Sequence, residues 1–222
     1  MKLLKITFIL TLSLFLFNCK SAYVHNDFNT KTANHTKIAV LPFKIITTGN
    51  LPKKISKAET IKIQEEEAVL FQTSLINQLL RKDAQRKSKN LKVEVLSKET
   101  TNTILKENGY SISEAVDINP SELAKILKVD AVVSSTVQKQ RYMSDLASVG
   151  IELGNSILKG LGVNVKNKTN DIIVTSNIIN ENDGSNLFNI SKTFEVDWKS
   201  KSIPNIIDDV NKKIIRNFPY LK

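Results

Sequence analysis

The chain has 222 residues, of which 41% are hydrophobic and 24% charged, and this predicts one globular domain with short accessory segments. Its single cysteine excludes a framework of intramolecular disulfides. The formal net charge of +10 comes from scattered cations, with one tighter group at residues 81–89 and no basic motif studded with aromatic residues. We therefore expect no nucleic-acid partner.

Residues 1–18 have the composition of a secretory signal peptide. Lys2 and Lys5 precede an apolar stretch at residues 6–17. This stretch is too short to span a bilayer, because a spanning helix needs about 20 apolar residues.

The apolar stretch ends at Leu16, Phe17 and Asn18, directly before Cys19. This resembles the lipobox of bacterial lipoproteins. Leu16 fits the motif, whereas Phe17 and Asn18 depart from the small residues that it prefers. The resemblance implies cleavage before Cys19 and attachment of lipid, palmitate included, to this residue. It also implies an outer-membrane location, since Lys20 stands where a retention signal would place Asp. The alternative is a buried cysteine in an uncleaved anchor.

Residues 19–36 are polar and show neither a helical nor a strand period. They predict a flexible tether between the lipid and the domain. His25 and His35 both fall in it, and we expect them to be solvated surface residues and not metal ligands.

The domain is predicted to start with a strand at residues 38–41, a run of four apolar residues before Pro42. Such a run is typical of a strand buried on both faces. Pro42 should end the strand, because proline has no N–H to donate. Residues 44–57 contain Gly49 and Pro52 and predict a loop.

A long helix is predicted over residues 60–82. Ser56 and Glu59 have the spacing of a capping box before it. We expect the acidic run at residues 65–67 to be a solvated helix face and not a cation site, because adjacent helical residues do not converge. Apolar residues at helical spacing form the stripe that should face the core: Ala68, Phe71, Leu75 and Leu79.

Two helices between two strands follow, with Gly109 ending the first helix and Asn119 capping the second. This order suits a crossover between parallel strands. The predicted bounds are residues 91–96, 100–107, from Pro120, and 131–137.

Residues 143–168 combine apolar residues with four of the chain's seven glycines. This insertion is either a helix that contacts membrane or a second copy, or a glycine-softened segment lying on its own sheet. The residues of the possible contact are Leu146, Val149, Leu153, Ile157 and Leu161.

A hairpin and a final helix complete the predicted domain. Residues 171–180 form a fourth strand, residues 182–184 a tight turn, and residues 188–198 a fifth strand with Trp198 at its end. The last helix should begin near Pro204. Its buried stripe comprises Ile203, Ile207, Val210 and Ile214, with Phe218 one turn on.

The element order resembles the periplasmic α/β domain shared by the TolB N-terminal region, the curli secretion lipoprotein CsgG and the penicillin-binding-protein activator LpoB. The strand at residues 38–43 matches the I-A-V-L-P-F strand of that group, and residues 123–133 match a helix that turns directly into a strand. The resemblance spans about residues 37–218. It implies an α/β (α+β) domain at residues 37–222, built on a mixed five-stranded sheet packed by helices.

The resemblance favours a non-catalytic outer-membrane lipoprotein whose domain faces the periplasm or the cell surface and binds protein partners in envelope assembly or secretion. We expect no enzyme, cofactor or metal site, because the predicted domain contains no histidine or cysteine. The alternatives are a CsgG-like oligomeric secretion channel or channel accessory, formed by homo-oligomers, and a polyanion-binding surface protein.

Overall fold

The computed structural model describes residues 22–48, 56–85, 91–140, 170–196 and 202–221. The predicted signal peptide, Cys19, the insertion at residues 143–168 and Trp198 lie outside these ranges.

Strand β2 (Lys37–Val40) lies inside the sheet and is buried on both faces, as predicted. Ile38 and Val40 belong to the hydrophobic cluster on one face, while Ala39 and Leu41 belong to the cluster on the other. The strand ends before Pro42. The rest of the domain is therefore arranged in layers on either side of this strand.

The sheet is mixed and packed by helices, which confirms the predicted fold class, but it has seven strands among the described residues and not five. Besides β2, the strands are β1 (Ala22–Val24), β3 (Lys44–Thr48), β4 (Glu94–Val95), β5 (Ala131–Gln140), β6 (Asn170–Asn180) and β7 (Asn186–Val196). The order is β1-β7-β6-β5-β2-β4, and β3 pairs with β5 in line with β2. The pairs of β2 with β4 and β5 are parallel, and β5, β6, β7 and β1 pair antiparallel.

Helices cover both faces of the sheet. They are α1 (Phe28–Lys31), α2 (Lys57–Gln85), α3 (Lys98–Glu107), α4 (Ile112–Ala115), α5 (Pro120–Leu127) and α6 (Ile203–Ile215), with a 3-10 turn at Pro219–Leu221. Helices α1, α2 and α6 contribute to the first cluster, which contains Ile38 and Val40. Helices α3, α4 and α5 contribute to the second, which contains Ala39 and Leu41.

Local signals in the sequence mark where the helices begin and end, although α2 starts at Lys57 and ends at Gln85, beyond the predicted bounds of residues 60–82. Ser56 N donates to Glu59 Oε2 at 2.8 Å, and Glu59 N donates to Ser56 Oγ at 3.2 Å, as in a capping box. Asn119 Oδ1 accepts from Ser121 N at 3.1 Å at the start of α5. Gly109 has a φ of +86° just after α3, a conformation that favours glycine.

The loop predicted at residues 44–57 is wrong for Lys44–Thr48, which is strand β3. These residues pair in parallel with β5, from Lys44 opposite Thr136 to Thr48 opposite Gln140. Pro42 interrupts only the ladder of β2, and the chain then returns to the sheet beside the longer strand β5. Strand β5 therefore pairs in parallel first with β2 and then with β3.

The flexible tether predicted at residues 19–36 is wrong for the part that the structure describes. Strand β1 pairs antiparallel with β7, with Tyr23 opposite Asn189, and His25 N donates to Leu187 O at 3.0 Å. Phe28 of α1 is buried in the first cluster, with its ring 5.2 Å from that of Tyr220. The segment is polar in composition, and for that reason the sequence did not indicate that Phe28 belongs to the core.

His35 is also more constrained than predicted. Its Nδ1 lies 2.6 Å from the Tyr220 hydroxyl, and burial lowers the pKa of the imidazole below its usual 6.5. Asp130 Oδ2 accepts from Thr36 N at 2.7 Å and from Lys37 N at 2.8 Å. Although burial alone would raise the pKa of the Asp130 carboxyl, these hydrogen bonds hold it below its usual 3.8.

Replacing Phe28 tests whether the N-terminal segment belongs to the core. In a chain that lacks residues 1–18 and carries Cys19→Ser, we expect Phe28→Ala to lower the free energy of unfolding by about 3 kcal/mol, because a packed aromatic ring is removed. Urea denaturation measures the change. The exposed neighbour Asn29 provides the control, since Asn29→Ala should stay within about 0.5 kcal/mol of the parent. If both variants were equally stable, the N-terminal segment would not belong to the core, and the predicted flexible tether would be correct.

The lowered pKa of His35 predicts that the stability of the fold depends on pH. Because its folded pKa lies below the unfolded value, the unfolded chain binds the proton first, and the free energy of unfolding falls as pH drops below about 6.5. Denaturation between about pH 8 and pH 5 should show this fall in the parent and a flatter profile in His35→Asn. The contribution of Asp130 is lost only below about 3.8, outside this window. An unchanged slope in His35→Asn would contradict the assignment.

Candidate docking groove

A groove of about 230 Å³ lies between the N-terminal half of α2, the start of β3 and helix α4. Its apolar lining comes from all three elements, which converge because α2 packs across β3 while α4 packs against α2. The apolar lining residues are Phe43, Ile45, Ile61, Ala68, Ile112 and Val116.

The floor of the groove is part of the hydrophobic core. Phe43 and Phe71 stack with ring centroids 5.3 Å apart, and Phe43 N donates to Ala68 O at 3.4 Å. Phe43, Ile45 and Ala68 are all buried. Close packing fixes these side chains, so the floor is preformed.

The rim of the groove is polar and carries both signs of charge. The Lys44 ammonium pairs with the Asp117 carboxylate across one end. Ser113 N donates to Glu65 Oε1 at 3.2 Å, which ties α4 to α2. Ser111 N donates to Glu114 Oε2 at 2.9 Å in a capping box that fixes the start of α4.

Ile61 is the apolar side chain at the open side of the groove, with 39% of its surface exposed. None of the lining residues is a histidine or a cysteine. The arrangement offers apolar contact area and polar anchors at its edge. An arrangement of this kind is suited to binding.

A buried ion pair joins α2 to the sheet next to the groove, since Glu67 directly precedes the lining residue Ala68. Glu67 of α2 and Lys139 of β5 are 2% and 3% exposed, and the carboxylate accepts a hydrogen bond from the ammonium. The predicted solvated face at residues 65–67 is therefore wrong for Glu67. The helix turns this position toward the sheet, where Lys139 supplies the opposite charge. Loss of one partner would leave a buried charge, so the pair fixes how α2 sits on the sheet.

A second cleft, of about 320 Å³, is basic. It is lined by Arg81 and Lys82 of α2, Lys212 of α6, Arg216 directly after α6, and Gln78. These cations stand at or near the C-terminal ends of two helices, where the negative end of the helix dipole attracts positive charge. Arg81 Nη2 also lies 3.5 Å from Asp208 Oδ2. The fold therefore accounts for this cluster without a ligand.

Within the described residues, no group of three His, Cys, Asp or Glu side chains could hold a metal ion, and no helix is long and apolar enough to cross a membrane. Cys19 and the five predicted contact residues of the insertion lie outside these ranges. Lipid attachment and membrane or oligomer contact at those positions stay predictions.

Sequence reasoning missed the groove. Ile61 stands outside the predicted apolar stripe of the long helix, and Ile112 and Val116 fall between the helix predicted at residues 100–107 and the helix predicted from Pro120. The usable signal was the Ser111–Glu114 capping-box spacing, which indicates the short helix α4. The meeting of that helix with β3 depends on long-range packing.

No family model matches the chain, and no curated protein matches its sequence. Solved structures that align with it include a PelC dodecamer from Paraburkholderia phytofirmans, which is 12% identical over 82% of this chain and 86% of that chain, with a TM-score of 0.42. The lipoprotein GNA1162 from Neisseria meningitidis is 11% identical over 82% of this chain and 99% of that chain, with a TM-score of 0.43. The LpoB C-terminal domain from Salmonella enterica is 10% identical over 73% of this chain and 84% of that chain, with a TM-score of 0.36. Similarity at this level carries no conclusion about what the chain does.

Proposed function

We propose that the protein is a non-catalytic lipoprotein of the bacterial envelope, anchored in the outer membrane through Cys19, whose α/β domain binds protein partners in envelope assembly or secretion. The groove between α2, β3 and α4 is the observation that carries the binding role. The leader and the lone cysteine support the anchor.

The size and chemistry of the groove favour a protein partner over a small molecule. Small-molecule pockets typically have about 300–1,000 Å³, and this groove has about 230 Å³. An apolar floor inside a polar rim is the arrangement that receives an anchoring side chain at the centre of a protein interface. The partner would insert an apolar side chain over Phe43 and Ala68, with polar groups facing Lys44, Glu65 and Asp117.

The anchor would add to this contact by confinement. A lipid-bound domain and a partner in the same envelope layer meet at a raised effective concentration, so a groove of modest area suffices.

The alternative functions stay predictions. The secretion channel depends on residues 143–168, which lie outside the described ranges. The polyanion-binding surface depends on the basic cleft, whose charges the two helix ends already explain.

Photo-crosslinking in intact cells tests the groove. A photoreactive amino acid at Gln64, in the lining, should capture a discrete partner, and Ile61→Asp should reduce the yield at least about tenfold, because it places a charge in the apolar contact. Leu80→Asp is the matched control, since Leu80 lies on the same helix and is 49% exposed against 39% for Ile61. Capture that Ile61→Asp and Leu80→Asp reduce equally would contradict the role of the groove.

Lipid labelling tests the anchor. Cells grown with radiolabelled palmitate should incorporate label into the wild-type chain and not into Cys19→Ser, because the chain has no other cysteine. Wild type should fractionate with the outer membrane, and the variant should be lost from that fraction. An unlabelled wild-type chain in the cytosol would overturn the proposed location.

A further inference from the structure

The junction between the proposed anchor and the fold is very short. Strand β1 begins at Ala22, three residues after Cys19. Three residues of fully extended chain span at most about 10 Å. If Cys19 carries lipid, Ala22 therefore lies within that distance of the lipidated residue.

The strand at this junction is held firmly in the sheet. Ala22, Tyr23 and Val24 pair in antiparallel register with Ile190, Asn189 and Phe188 of β7. Ala22 and Val24 pack against the first hydrophobic cluster. Because β1 is paired with β7, it adds no flexible length between Cys19 and the domain. The sheet edge formed by β1 is therefore the part of the domain nearest to the anchor.

We infer that the β1 edge of the domain rests against the lipid headgroup layer, so that the membrane surface is itself a binding partner of the fold. This rests on the proposed lipidation of Cys19. It replaces the predicted mobile tether with a domain held in contact with the membrane.

The side chains of this edge suit a headgroup layer. Tyr23 points away from the core with 50% of its surface exposed, and its ring meets that of His25 edge-on at 6.5 Å. Tyrosine has an apolar ring and a polar tip, the combination that favours the boundary between lipid and water.

Depth-dependent fluorescence quenching tests the contact. The lipidated chain is reconstituted into vesicles whose lipids are brominated near the headgroup, with Trp198→Phe removing the only native tryptophan. Tyr23→Trp reports the β1 edge. Leu80→Trp, on α2, is the matched control, because the parent side chains are 50% and 49% exposed.

We expect quenching at position 23 to exceed that at position 80 by at least about twofold, and a Gly-Ser linker of about 20 residues inserted before Ala22 to abolish the difference. Mass spectrometry of each preparation separates the two claims. An unacylated Cys19 would overturn the proposed anchor together with this inference. An acylated Cys19 with equal quenching at positions 23 and 80 would overturn the membrane contact alone.

Discussion

Burial of strand β2 on both faces is the constraint on which the rest of the structure depends. Four consecutive apolar residues cannot face water on either side, so helices must cover both faces of the sheet at this point. Where Pro42 ends the strand, the buried backbone groups need hydrogen-bond partners from outside the sheet. Gln72 of α2 provides one, since its buried Nε2 donates to Val40 O at 2.8 Å and its amide exchanges hydrogen bonds with Asn102 of α3. Two helices from different parts of the sequence thus meet where β2 ends.

The groove follows from this arrangement. Helix α2 packs across β3 because the Glu67–Lys139 pair and the contact of Phe43 with Phe71 fix its position on the sheet. Its N-terminal half continues beyond the fully covered part of the core, which leaves Ile61 at the surface beside α4. The same residues that complete the core therefore supply a preformed apolar floor with charged edges.

Local chemistry allowed much of the fold to be predicted from the sequence, whereas long-range pairing did not. Capping residues, Gly109 and the alternation along β7 act over a few residues, so helix ends and the hairpin were readable. Strands β1 and β3 were missed because polar, short segments become strands only when a distant edge, β7 or β5, is available to pair with them.

Lys128 shows a further limit. It adopts a φ of +54°, a conformation that glycine would occupy more easily, because the turn from α5 into β5 requires it. The burial of Glu67 depended on a lysine 72 residues away, and the groove on packing between elements that sequence patterns cannot relate.

The N-terminal segment connects the fold to its proposed location, since residues 22–37 bind β7, Tyr220 and Asp130 instead of hanging free. Native-state hydrogen exchange on a chain that lacks residues 1–18 measures this directly. The amide of His25, which donates to Leu187 O, should be protected to a degree similar to the ladder amides of β7. Exchange of this amide at the rate of an unstructured peptide would contradict the account, because the sheet would then end at β7 and the chain before β2 would be a free tether.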